Sequence, residues 1–194
     1  VNASENPLIW QFFPFFFRLG FYSMGLERFM LAFYDTPDLI HEMFAFWSEY
    51  VRAVLRPLLS KVHFDMVSFT EDLAYKNGPH LSPQIYKEFW LPYQRPIVEE
   101  VRKAGVPVVT LWTSGNIDAL IPMLLENGIN STWICDRNST MDPHRLRKQY
   151  GRDLLLGGGF SKNPLIEGPA AIDREIEYLM PLIRSGGFLP GLDD

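Results

Sequence analysis

Cysteine is almost absent from this chain, Cys135 standing alone among 194 residues. One thiol excludes an internal disulfide and any cysteine-only zinc cluster, and it fits a reducing cytoplasm, the compartment expected here. Positive charge is also scarce. With 18 Lys and Arg against 23 Asp and Glu the formal net charge is -5, so nucleic acid is not an expected partner, because phosphate binding needs a basic face. Long apolar runs are missing as well. The most apolar stretch, Phe12 to Phe21, is broken by Pro14 and Arg18 and falls short of the roughly 20 residues of a membrane span, so no membrane partner is expected. The N-terminus lacks the basic start, apolar centre and small-residue cleavage site of a secretory signal. What is present is a globular composition, 47% hydrophobic and 21% charged, enough to bury the core of one domain over residues 1–194. The chain starts at Val1 and stops at Asp194, just after an apolar Gly-Gly-Phe-Leu-Pro segment, and the expectation is a domain truncated at both ends.

Apolar patterning alternates between two periods. Leu8 to Phe13, Asp65 to Thr70, Val106 to Leu111, Ser131 to Ile134, Asp153 to Leu156 and Phe188-Leu189 read as short buried strands. Between them lie helical patterns. One runs through Leu26 to Tyr34, and a long one follows Thr36, Pro37 and Asp38, which read as N-cap, first helical residue and acidic first turn. Ser82-Pro83 opens the next, and Gly105, Gly128 and Gly151 close successive helices. Strands alternating with helices predict an α/β protein with a parallel sheet. Six strands fit either an open doubly wound sheet or an eight-stranded barrel lacking two. No Gly-x-Gly-x-x-Gly stands between a strand and a helix, and Gly157-Gly158-Gly159 lacks that spacing.

Several segments together resemble the uroporphyrinogen decarboxylase superfamily, which includes the methyltransferases that move methyl groups to and from corrinoid (cobalamin) cofactors or thiols. They are Met24-Gly25-Leu26-Glu27-Arg28, Phe33 to Leu39, Glu71-Asp72, Asn77-Gly78-Pro79, Leu81-Ser82-Pro83, Ser114-Gly115-Asn116-Ile117, Leu120-Ile121-Pro122, Met141-Asp142-Pro143, Gly157 to Phe160 and Gly186 to Pro190. The resemblance rests on their order and spacing. It implies a parallel (β/α)8 TIM-type barrel, incomplete at about six of eight strands, with its site at the C-terminal ends of the strands. It also implies that the family's pyrrole-binding aspartate and carboxylate-binding arginines precede Val1.

Glu71 and Asp72 directly follow a strand, where a barrel exposes side chains to its active face, and are the candidate catalytic acid and base. The alternative for such acids is to fix a loop or cap a helix. The zinc-dependent methyltransferases of this superfamily carry His-x-Cys-Gly after the strand equivalent to Val106–Leu111, and a cysteine in a Pro-Gly-Cys context after the last strand. This chain has Trp112-Thr113-Ser114-Gly115 and Pro190-Gly191-Leu192 there. Those side chains cannot make a thiolate and imidazole site, so no metal is expected at the usual position. Trp112, Ser114, Asn116, Asp136, Asp193 and His80 are the candidate substrate contacts, each with a structural alternative: helix capping for Asn116, a mutual pair for Asp136 and Arg137. Cys135 reads as a packed core thiol. The phenylalanines of Phe12 to Phe21 are either the wall of a flat substrate or plain core.

Three functions follow from the resemblance. The first is a corrinoid-linked methyltransferase acting on a small methylated or methoxylated molecule, with the corrinoid carried by a partner protein. The second is uroporphyrinogen decarboxylase, a lyase of porphyrin biosynthesis needing no cofactor. The third is a non-catalytic barrel that binds a corrinoid or tetrapyrrole. A homodimer is the candidate assembly.

Overall fold

The computed structural model describes residues 6–193. In chain order the elements are β1 (Ile9–Phe12), α1 (Phe16–Met24), α2 (Leu26–Asp35), α3 (Pro37–Leu59) and β2 (Met66–Thr70). A small antiparallel hairpin, β3 (Ala74–Tyr75) and β4 (Gly78–Pro79), precedes α4 (Pro83–Ile85), which passes through a π-helical turn (Tyr86–Trp90) into α5 (Leu91–Lys103). Then come β5 (Val108–Thr113), α6 (Ile121–Glu126), β6 (Ser131–Ile134), a 3-10 turn (Arg137–Ser139) and α7 (Pro143–Tyr150). The last elements are β7 (Leu155–Phe160), α8 (Asn163–Glu167), α9 (Pro169–Ser185) and β8 (Phe188–Leu192).

The six long strands form one sheet in the order β1-β2-β5-β6-β7-β8, every neighbouring pair parallel. That order decides between the two architectures left open by the sequence. A doubly wound sheet reverses its strand order at a switch point, whereas here each connection steps to the next strand in the same direction, and the general right-handedness of such crossovers puts their helices on the same side. All the helices therefore fall on one face, and the sheet is six consecutive strands of a parallel barrel.

Side chains alternate across the strands. Val67, Phe69, Val109, Leu111 and Ile134 point into the helix layer and are at most 1% exposed. Ile9, Gln11, Met66, Ser68, Thr110, Trp112 and Trp133 line the concave face. In the helix layer an aromatic knot ties the first helices together. The ring centroids of Phe16 and Phe44, and of Phe44 and Trp90, are each 4.9 Å apart, and those of Phe15 and Phe69 are 4.5 Å apart. Such pairs add about 0.5–1.5 kcal/mol each beyond the area they bury. Most of the Phe12 to Phe21 stretch is thus core.

The glycine run lies inside β7, where the indole of Trp133 needs the space that side chains would fill. A Cβ on Gly157 or on Gly191 would come within 2.4 Å of that ring. Thr36 precedes α3, but its side chain makes no capping bond and the helix starts on Pro37 alone. No helix among the described residues is long and apolar enough to cross a membrane.

Candidate functional site

At the C-terminal ends of β1, β2 and β5 lies a cavity of about 320 Å³ lined by Gln11, Phe13, Arg18, Thr70, Glu71, Trp112, Thr113 and Ser114. The two adjacent carboxylates beside it have different fates, because successive side chains leave a strand in opposite directions.

Glu71 turns into the helix layer and is 1% exposed. Its carboxylate accepts hydrogen bonds from the Phe17 backbone N–H at 2.8 Å and from the Trp90 indole N–H at 3.1 Å. The residue before α1, Phe15, has no side chain able to cap it. Glu71 supplies from 54 residues away the acceptor that the helix's first turn needs. Burial pushes its carboxyl up to about 8, against the opposing pull of the Trp90 indole and of the Phe17, Arg18 and Phe16 amides. The π-helical turn ends on Trp90 and delivers the indole to this position.

Asp72 instead stays at the surface of the mouth, its side chain 40% exposed and 3.8 Å from an Arg18 terminal nitrogen. Arg18 sits one turn into α1. Its Nε donates to the Glu71 carbonyl at 3.4 Å, one terminal nitrogen donates to the Tyr22 hydroxyl at 3.1 Å, and the guanidinium lies 5.2 Å from the Phe13 ring centroid. Gln11 donates its amide to the Thr70 hydroxyl at 2.9 Å.

The end of β5 and the loop after it bring two further candidates to the same cavity, Trp112 and Ser114. The Trp112 indole donates to Cys135 Sγ and its ring centroid is 6.1 Å from that of Trp133. Gly115 lets the loop pass beneath the β3–β4 hairpin: its φ is +76° and a Cβ would meet the Ala74 carbonyl oxygen at 2.5 Å. Asn116 is engaged otherwise, its side chain accepting from Asp118 N at 3.0 Å and donating to the Thr140 hydroxyl at 2.9 Å.

The remaining candidates make contacts within the local structure. Asp136 accepts from Asn138 N at 2.8 Å and caps the 3-10 turn. It does not pair with Arg137, which binds Glu175 and lies 4.7 Å over the Tyr178 ring. Asp193, 7% exposed, accepts from Lys162 N at 2.7 Å and so ties the end of β8 to the loop after β7. His80 stacks on Phe17, with centroids 5.4 Å apart. Trp112 stands at the end of β5 and Leu192 at the end of β8, and no group of three or more His, Cys, Asp or Glu that could hold a metal ion occurs among the described residues. The side chains there do not fit zinc. Nothing in the sequence singles out Arg18. Its position one turn after Pro14 gives no sign that α1 starts against Glu71.

Parallel strands wound in one direction, with a cavity over their C-terminal ends, define the class: a (β/α)-barrel protein with the architecture of an enzyme. The model of the uroporphyrinogen decarboxylase family matches residues 17–187, and the chain belongs to that family. No curated protein matches it. Among solved structures it is similar to a methyltransferase from Methanosarcina mazei, with a TM-score of 0.72 and 13% identity over 99% of this chain. It spans about half of that structure, 54% of its length.

Proposed function

We propose that the protein is a methyl-transferring enzyme of this family, taking a methyl group from a small methylated or methoxylated molecule and passing it to a corrinoid carried by a partner protein. The observation that carries the reading is the cavity itself. At about 320 Å³ it lies at the small end of the range for sites that take one compact ligand. Its walls combine the rings of Phe13 and Trp112 with the polar groups of Gln11, Thr70 and Ser114. The solved methyltransferase of similar fold supports the same reading. The rim at Phe13 and Tyr22 is more than half exposed, which leaves room for a cofactor presented by another protein. When presented, the corrinoid supplies the cobalt centre that accepts the methyl group.

This chain's residues bind and orient the donor. A methoxyl group that loses its methyl leaves an oxygen anion that needs a proton, and Asp72, half in solvent at the mouth, relays it. Glu71 holds the frame on which Arg18 and Asp72 are set. The rival reading, decarboxylation of a porphyrinogen, has the family's name in its favour.

The test mixes the whole protein anaerobically with reduced corrinoid plus methoxylated donors, and separately with uroporphyrinogen. Conversion of the cobalt spectrum to the methylated form supports methyl transfer. Release of carbon dioxide with an unchanged cobalt spectrum establishes the decarboxylase instead.

A further inference from the structure

The cavity at the mouth has one cation in its wall, and nothing in the methyl-transfer reading requires it. Arg18 lines the cavity with the rings of Phe13 and Trp112. Two contacts fix its guanidinium, the Glu71 carbonyl and the Tyr22 hydroxyl. The third, to Asp72 at 3.8 Å, is longer than a hydrogen bond. A guanidinium carries five N–H donors in a planar fork that matches a carboxylate, and its side chain is still 24% exposed. Across the cavity the Thr70 hydroxyl already accepts from Gln11, so it can turn its own proton toward a ligand. Beside these polar groups lie two flat apolar surfaces, one of them held in place by the bond from Trp112 to Cys135.

From this arrangement we infer that the ligand of this cavity is a small flat organic acid, its carboxylate taken by Arg18 and its ring or planar body laid against Trp112 and Phe13. The inference rests on the methyl-transfer reading only for the methylated oxygen. Because Asp72 stands beside Arg18, that oxygen lies next to the acid group, as in 2-methoxybenzoate. In the free protein Asp72 is the carboxylate that a ligand displaces from Arg18. It therefore competes with the ligand for the same cation.

The competition makes the inference testable by a gain as well as a loss. Binding of 2-methoxybenzoate and of its neutral counterpart methoxybenzene to the whole protein is measured by calorimetry, with no corrinoid present. The acid is expected to bind at least about tenfold more tightly than the neutral compound, as a charge-assisted pair requires. Arg18→Gln should remove that preference, lowering the acid's affinity by more than that of methoxybenzene. Asp72→Asn should tighten the acid about twofold, an effect that no misfolded variant produces. Trp112→Leu should weaken both compounds. Equal affinity for the two compounds, no binding of the acid at millimolar concentration, or Asp72→Asn leaving the acid's affinity unchanged or lower would overturn the inference. If the acid binds as described while no methyl group reaches the corrinoid, the anion subsite stands and the methyl-transfer reading falls. If methyl groups reach the corrinoid from neutral donors alone, the methyl-transfer reading stands and the anion subsite falls.

Discussion

The two halves of the sheet use their polar residues in opposite ways. Around β1, β2 and β5, Gln11, Arg18, Thr70, Asp72 and Ser114 stand on or beside a cavity. Around β6, β7 and β8 the charged groups close on one another. Arg137 binds Glu175, Tyr178 donates to Asp142, Asp136 caps its own turn, and Asp193 holds the Lys162 amide. On that side the Trp133 indole lies over Gly157 and Gly191. Residues of the same types, at equivalent ends of parallel strands, therefore do different work. What separates them is whether a backbone amide or an opposite charge is already within reach.

Glu71 is where that division is sharpest, since it lies in the cavity half yet serves the frame. Glu71→Ala leaves the Trp90 and Phe17 N–H groups buried without an acceptor and should cost about 4 kcal/mol, read as a lower urea midpoint. Its titration gives a second signature. Folding raises the carboxyl from 4.5 to about 8, so the neutral form is the one the fold favours. That contribution is complete below about pH 4.5 and is lost as pH rises through about 8. Urea unfolding followed across this window should show wild type losing stability relative to Glu71→Gln as pH rises. A constant difference between the two would place the carboxylate outside the frame.

In the closed half the largest effect is expected at Gly158. Its φ is +75° and a Cβ would stand 2.4 Å from the Ile134 carbonyl oxygen, so Gly158→Ala should cost about 3 kcal/mol in thermal or urea unfolding. Asp72→Asn tests the other side of the contrast. Its exposed contact with Arg18 is worth at most about 0.5 kcal/mol, so stability should hardly move, whereas turnover should fall about a hundredfold if Asp72 relays the proton. The smallest effect belongs to Tyr178→Phe, which removes only the hydroxyl that Asp142 accepts and should cost about 1 kcal/mol with no change in ligand binding.

The fold is legible in the sequence because its signals are local. All six long strands appear where short β-rich runs stand between helical patterns, and Ser82 and Asp142 cap their helices through Ile85 N and Arg145 N. β5 and β7 extend beyond their apolar runs, to Thr113 and Phe160, because strand length is set by neighbours in the sheet as well as by composition. The β3–β4 hairpin is not among the strands read from the sequence, since each of its strands is only two residues long. The site is less legible, because its contacts span long stretches of chain. Glu71 and Phe17 are 54 residues apart, and Arg137 and Glu175 38. Adjacent acids look equivalent in a sequence. The alternation of a strand could have separated them, since Glu71 follows the inward-facing Thr70 and must point outward.

If the mouth between β1 and β5 handles a methyl donor through Asp72 while the fold is carried elsewhere, chemistry and stability must separate at that one residue. Single-turnover methyl transfer, read from the cobalt spectrum with whole wild-type protein and its Asp72→Asn variant, addresses this most directly. Wild type should convert the corrinoid to its methylated form and the variant should do so about a hundredfold more slowly, with both proteins unfolding at the same urea concentration. Equal rates for the two, or a cobalt spectrum that never changes, would contradict it.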